Sequence, residues 1–101
     1  MKVPAPDVTQ RPKFLPELSV VEVIYSDDKH ARVAITKDRQ NLYRIHPERW
    51  DLSDLTIIGH GYWSQWGHHA SFTDDIEIAR QMAHETLRNI PPSTVIPDDE
   101  A

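Results

Sequence analysis

The sequence predicts an α+β domain: a four-stranded antiparallel meander sheet (β-β-β-β-α) with one C-terminal helix packed on one face. Two observations support this fold class. Between residues 20 and 46, β-branched and aromatic residues alternate with polar ones in three short segments. Between residues 76 and 90, apolar residues instead recur every three and four positions, which is the period of an amphipathic helix. Short polar turns separate the segments, and this favours strands that pair in chain order.

The first three strands are predicted at residues 20–25, 31–36 and 42–46. Pro47 should end the third strand, because proline has no N–H to donate to a neighbouring strand. A fourth strand is predicted from residue 55 to residue 63. Gly59 and Gly61 interrupt it, which indicates a bulge or a close approach of the backbone to another group.

The alternation also assigns side chains to the two faces of the sheet. The face that the helix should cover is predicted to carry Val21, Val23, Tyr25, Val33, Ile35, Tyr43 and Ile45. The opposite face is mixed in character and carries Glu22, Ile24, Arg32, Ala34, Thr36, Leu42, Arg44 and His46. We therefore expect a sheet that is covered on one side only.

The helix presents a single apolar stripe, made of Ile76, Ala79, Met82, Ala83, Leu87 and Ile90. Ser71 or Thr73 is the expected N-terminal cap, since both can accept a hydrogen bond from a free backbone N–H. Pro91 and Pro92 should end the helix.

The chain is predicted to hold one domain, at residues 19–90. Residues 1–18 contain Pro4, Pro6, Pro12 and Pro16 with little apolar periodicity, so we expect a flexible, proline-rich N-terminal arm. Residues 91–101 contain Asp98-Asp99-Glu100 and are expected to form a disordered acidic tail.

Composition limits the possible functions. The chain has no cysteine, which excludes disulfides and thiolate metal sites. It shows neither a signal peptide nor a long apolar run, so a cytoplasmic location without membrane contact is expected. The net charge of −5 disfavours a protein devoted to binding phosphate backbones.

The stretch from His60 to His69 holds more aromatic side chains than so small a core can easily absorb. Tyr62 and Trp63 are consecutive, so they should point to opposite faces of a strand, and one should be exposed near Arg44 and His46. An aromatic ring beside arginine is typical of a protein interface. The predicted function is therefore a small accessory module without catalysis or cofactor, which binds a protein partner or a second copy of itself. Its predicted binding residues are Arg32, Arg44, His46, Tyr62, Trp63 and Trp66.

Nucleic-acid binding is the first alternative. Three strands followed by a helix start that reads Ser71-Phe72-Thr73-Asp74, with Ala79 and Ala83 on its inner side, resemble two DNA-binding families in element order. These are the plant ethylene-response DNA-binding domains and the amino-terminal arm-binding domain of phage integrases. The resemblance spans roughly residues 32–87, and it implies a sheet that enters the major groove. The helix start here is acidic, and arginines are few in each strand, which departs from both families.

A histidine metal site is the second alternative. His60, His68 and His69 lie close together in sequence, and imidazole is a common ligand of zinc, copper and nickel. Their spacing matches no established ligand pattern, however, and neighbouring residues of a strand point in opposite directions. These histidines are therefore predicted to be surface or packing residues rather than ligands.

Overall fold

The computed structural model describes residues 4–14, 16–67, 72–91 and 93, which form an antiparallel sheet crossed by one long helix. The elements are β1 (Ser19–Tyr25), β2 (Ala31–Lys37), β3 (Tyr43–Asp51), α1 (Leu55–Ile58), β4 (Tyr62–Gln65), β5 (Phe72–Thr73) and α2 (Ile76–Arg88). The strand order is β1-β2-β3-β4, and the short β5 also pairs with β3. The predicted α+β meander with a C-terminal helix on the sheet is confirmed.

Helix α2 packs its predicted apolar stripe against one face of the sheet, here called the helix face. Ala79 and Ala83 are completely buried there, and their small side chains let the helix approach Val33 and Ile35 closely. The cap differs from the prediction: Asp75 accepts hydrogen bonds from the backbone N–H groups of residues 77 and 78, at 2.8 and 3.4 Å. Thr73 instead accepts from the N–H of Asp75 at 3.2 Å, and Ser71 lies outside the described residues.

Strand β1 contains a bulge that reverses its predicted faces. Val20 pairs with Thr36, but Glu22 pairs with Ile35, so Val21 is an extra residue without a partner on β2. One inserted residue moves every following side chain to the other face. Ile24 therefore packs into the core under α2, whereas Tyr25 lies on the side of the sheet opposite the helix, here called the outer face.

Strand β3 continues through Pro47 to Asp51, so the predicted end at His46 is wrong. Pro47 lies opposite Val33, and its carbonyl accepts a hydrogen bond from the N–H of Trp66 at 2.9 Å. The N and C=O groups of one strand residue point to the same side. The N–H that proline lacks would therefore point away from β2, and the β2–β3 ladder loses nothing.

Residues Leu55–Ile58, predicted as a strand, form the single helical turn α1. The side chain of Asp51 accepts hydrogen bonds from the N–H and the hydroxyl of Ser53, and this local turn bends the chain before a strand can start. Leu55 is buried beside Trp50, and Gly59 ends the turn at φ 82°, where a side chain would be strained.

Both faces of β2 are covered, so the expectation of one bare face is wrong for this strand. All six residues from 31 to 36 are buried, although Arg32, Ala34 and Thr36 point away from α2. Residues 4–14 of the N-terminal arm contact this outer face, as described below. The sheet is thus enclosed by a helix on one side and an irregular segment on the other.

The close approach predicted for the glycines occurs at Gly61. A Cβ atom at this position would lie 2.6–2.8 Å from three atoms of the Trp50 indole. We expect Gly61→Ala to lower the free energy of unfolding by about 1–3 kcal/mol, because the added methyl group would overlap the buried ring of Trp50. Urea denaturation measures this change. The matched control is Gly59→Asn, where asparagine tolerates the positive φ and no atom lies within 4 Å of the added Cβ. It should stay within about 1 kcal/mol of the parent. An equal loss in both variants would contradict the contact with Trp50.

Candidate functional site

Arg32 stands at the centre of the outer face and is only 1% exposed. Its Nε donates to the carboxylate of Glu48 at 2.7 Å, and its Nη1 donates to the backbone carbonyl of Gln10 at 2.5 Å. The guanidinium carbon lies 4.1 Å from the ring centroid of Trp63. A buried charge is costly unless it is paired and hydrogen-bonded, and these contacts meet both conditions.

Trp63 and Tyr25 contact this arginine directly, and a third aromatic ring, Trp50, packs on Trp63. Trp63 on β4 lies opposite Trp50 on β3, and their rings meet edge to face at a centroid distance of 5.4 Å. Tyr25 on β1 contacts Trp63 from the other side, at 6.2 Å. Tyr25, Arg32, Glu48, Trp50 and Trp63 together are called the Arg32 cluster below. The cluster draws one or two side chains from each of the four main strands.

The N-terminal arm is held on this cluster by its backbone carbonyls. The indole N–H of Trp63 donates to the carbonyl of Asp7 at 2.9 Å, and the hydroxyl of Tyr25 donates to the carbonyl of Val8 at 3.4 Å. The bond from Arg32 to Gln10 completes the set. The donors come from β1, β2 and β4, whereas the side chain of Val8 remains 47% exposed. The face therefore recognises main chain more than side chain.

Residues 7–10 of the arm form a compact turn. The carboxylate of Asp7 accepts hydrogen bonds from the N–H of Thr9 at 3.0 Å and from the hydroxyl of Thr9 at 2.5 Å. The N–H of Gln10 donates to the Asp7 carbonyl at 3.3 Å. This is an Asx turn, in which an aspartate side chain binds the backbone two residues later. The hydrogen bonds from Thr9 lower the pKa of the Asp7 carboxyl.

Farther along the arm, Phe14 lies over His46, with 4.4 Å between the ring centroids. His46 Nε2 lies 2.8 Å from the hydroxyl oxygen of Thr36, which is itself completely buried. Burial lowers the pKa of His46, and the nearby charge of Arg44 lowers it further. The folded chain thus favours the neutral imidazole at His46.

A cleft of about 220 Å³ opens beside the arm. It is lined by Gln10, Arg11, Pro12, Lys13, Arg32, Glu48 and Trp63. The arm therefore does not fill the whole surface around the Arg32 cluster.

The six predicted binding residues do not form one site. Arg32 and Trp63 are in direct contact, and His46 lies on the same outer face under Phe14. The other three residues lie elsewhere. Arg44 pairs with Asp38 at 3.6 Å and lies over the ring of Phe72; Tyr62 donates to Asp54; and Trp66 packs towards the core under α2, with Arg49 above its ring.

Three members of the Arg32 cluster were not predicted from the sequence. Tyr25 was assigned to the helix face because nothing in the pattern indicates the bulge at Val21. Glu48 and Trp50 were assigned to a connection because Pro47 indicates the end of a strand. The one available signal that the strand continues is the Glu48-Arg49-Trp50 segment, which directly follows Pro47.

The histidine alternative is only partly described. His60 Nδ1 lies 3.0 Å from the carbonyl oxygen of Gly61, while His68 and His69 lie outside the described residues. Within residues 4–14, 16–67, 72–91 and 93, no three histidine, aspartate or glutamate side chains are grouped as metal ligands.

Comparison of the chain with protein-family models, with curated proteins and with solved structures found no match. No helix in the described part of the chain has the length and apolar character needed to cross a membrane.

The ion pair between Arg32 and Glu48 leads to a stability prediction. Replacing Glu48 by alanine leaves a buried guanidinium without its carboxylate, so we expect a loss of about 2–3 kcal/mol in the free energy of unfolding. The control is Glu22→Ala, which removes one of the two carboxylates that pair with the partly exposed Arg80 and should cost less than about 1 kcal/mol. Urea denaturation of both variants measures the difference. Equal losses would mean that burial does not strengthen the Arg32–Glu48 pair.

His46 leads to a pH prediction. Its pKa in the folded chain lies below the ordinary value of 6.5, so the unfolded chain binds a proton more readily. The stability that neutral His46 contributes should be complete above pH 6.5 and should be lost as the pH falls through the folded-state pKa. We expect the free energy of unfolding to fall in this window, measured from about pH 8 to about pH 5. In His46→Gln the free energy of unfolding should decrease less over this pH range, since glutamine keeps a polar group near Thr36 but does not titrate. An unchanged pH profile in that variant would contradict the assignment.

Proposed function

We propose that this chain is a small, non-catalytic interaction module that binds a protein segment on its outer sheet face, through the Arg32 cluster. The observation that supports the proposal is the set of three side-chain donors, on three strands, that bind backbone carbonyls of one irregular segment. Tryptophan, tyrosine and arginine are the residues that most often dominate protein interfaces. The proposed location is the cytoplasm, since a chain without cysteine needs no oxidising compartment.

The charges of the same face favour a peptide over a nucleic acid. The guanidinium of Arg32 already pairs with the carboxylate of Glu48 at 2.7 Å. A phosphate at this position would meet that negative charge, whereas a neutral peptide carbonyl would not. The net charge of −5 also repels a nucleic acid at longer range.

The proposal is tested by selecting peptides from a random display library on the immobilised full chain. We expect enriched peptides to bind the parent chain and to lose about tenfold in affinity for Trp63→Phe, which keeps an aromatic ring but removes the indole N–H. Ile78→Ala is the control: this side chain is 45% exposed on α2, on the opposite side of the sheet, and binding should be unchanged. Absence of enrichment, or enriched peptides that bind Trp63→Phe equally well, would contradict the proposal.

A second copy of the chain is the other form that the partner could take. Light scattering of the full chain over a range of concentrations separates the two cases. If the measured mass of the parent rises to that of a dimer, and Trp63→Phe remains a monomer, the outer face mediates self-association. A constant monomer mass together with peptide binding assigns it to a different protein.

A further inference from the structure

We propose that the partner segment is a short turn bracketed by prolines, and that residues 4–14 of the chain's own arm compete with it for the Arg32 cluster. This inference rests on the proposed function and adds the chemistry of the ligand and its regulation. Within the described residues, the arm supplies backbone carbonyls to three side chains of the cluster, and it indicates what a partner must offer.

The first requirement is a set of free main-chain carbonyls. The cluster contacts the arm through the carbonyls of Asp7, Val8 and Gln10. The side chains of residues 7–11 are exposed, so they are not what the face recognises. When the arm leaves, the buried guanidinium of Arg32 loses an acceptor at 2.5 Å. A segment that replaces the arm must return an acceptor to that position, because an unsatisfied buried donor is costly.

The second requirement is that the backbone conformation of the segment is fixed before it binds. The carbonyls of residues 7 and 10 reach Trp63 and Arg32 because the Asx turn at Asp7 places them on one side. Pro6 and Pro12 flank this turn and restrict the backbone before and after it. A preorganised segment loses less conformational freedom on binding, so prolines on both sides of a turn raise its affinity.

The contacts of the arm are suited to exchange. The bond from Tyr25 to Val8 is long at 3.4 Å, and the bond from Trp63 to Asp7 is exposed to water. Solvent-exposed hydrogen bonds with few buried apolar contacts are typical of segments that open locally. The neighbouring cleft of about 220 Å³ is lined partly by the arm itself, and its sheet residues Arg32, Glu48 and Trp63 become open to a partner when the arm leaves. A partner can therefore match the carbonyls of the arm and add a contact of its own.

The test uses a fluorescently labelled synthetic peptide with the sequence of residues 4–14 and the full-length chain in three forms. Asp7→Ala removes the acceptor that holds the Asx turn, so the arm should open more often and the peptide should bind about tenfold more tightly than to the parent. Asp7→Asn is the matched control, because asparagine also forms Asx turns, and its affinity should stay within about twofold of the parent. Fluorescence anisotropy measures all three.

Two further variants locate the bound peptide. Trp63→Phe and Tyr25→Phe, each combined with Asp7→Ala, keep the rings and remove one donor. Each should weaken peptide binding, Trp63→Phe by about tenfold and Tyr25→Phe by less, because its bond is longer. A labelled peptide of the same composition in scrambled order should not bind. Thermal unfolding of each variant confirms that the sheet remains folded.

The outcomes separate this inference from the proposed function. Equal affinity for the parent and Asp7→Ala would overturn the competing role of the arm. If display-selected peptides bind through Trp63 but the arm peptide does not, the ligand class is wrong and the interaction module stands. If Asp7→Ala dimerises and no longer binds the peptide, the occupant is the arm of a second copy, and the proposal is overturned. If no peptide of either kind binds, both proposals fail.

Discussion

The structure depends on one buried charge, the guanidinium of Arg32 in the middle of strand β2. A charged side chain that is 1% exposed must find its partners within the chain. Glu48 supplies the opposite charge, Trp63 supplies an aromatic face, and Gln10 supplies a carbonyl. These three residues come from β3, β4 and the N-terminal arm. The single guanidinium therefore links segments that are far apart in sequence and fixes how they meet.

The two faces of the sheet are covered by different kinds of contact. On the helix face, Val33, Ile35, Ala79 and Ala83 exclude water by close apolar packing, and α2 covers them as its stripe predicts. On the outer face, Ala34 and Thr36 are buried just as deeply, but the charge of Arg32 lies among them. Glu48 pairs with that charge within the sheet, but apolar cover alone would leave Nη1 of Arg32 without the acceptor that the Gln10 carbonyl supplies. The outer face thus needs a cover that brings polar atoms with it.

The sequence predicted the parts of the fold that depend on periodic burial. Strand β2 and helix α2 have clear periods, and both were located well. The errors occurred where a single local feature overrides the period: the extra residue Val21 in β1, the tolerated Pro47 in β3, and the turn at Asp51 before α1. The candidate site suffered most from these errors. Tyr25, Glu48 and Trp50 each depend on one of the strand regions that was predicted wrongly. The sequence therefore named Arg32 and Trp63 among the binding residues but expected the exposed aromatic ring near Arg44 and His46, whereas Trp63 contacts Arg32.

An irregular arm, rather than a second helix, suits the outer face for a physical reason. A helix uses nearly all of its carbonyls in its own hydrogen bonds, whereas the carbonyls of Asp7, Val8 and Gln10 each accept a side-chain hydrogen bond from the outer face. The carbonyl of Asp7 does so in addition to its bond from the N–H of Gln10. The donors of Tyr25, Arg32 and Trp63 need such acceptors, and the arm needs such donors. Each side therefore satisfies the other through main-chain carbonyls, and the side chain of Asp7 acts by holding the turn that places them. A foreign segment with the same carbonyl arrangement meets the same requirement, which is why a covered face can also be a binding face.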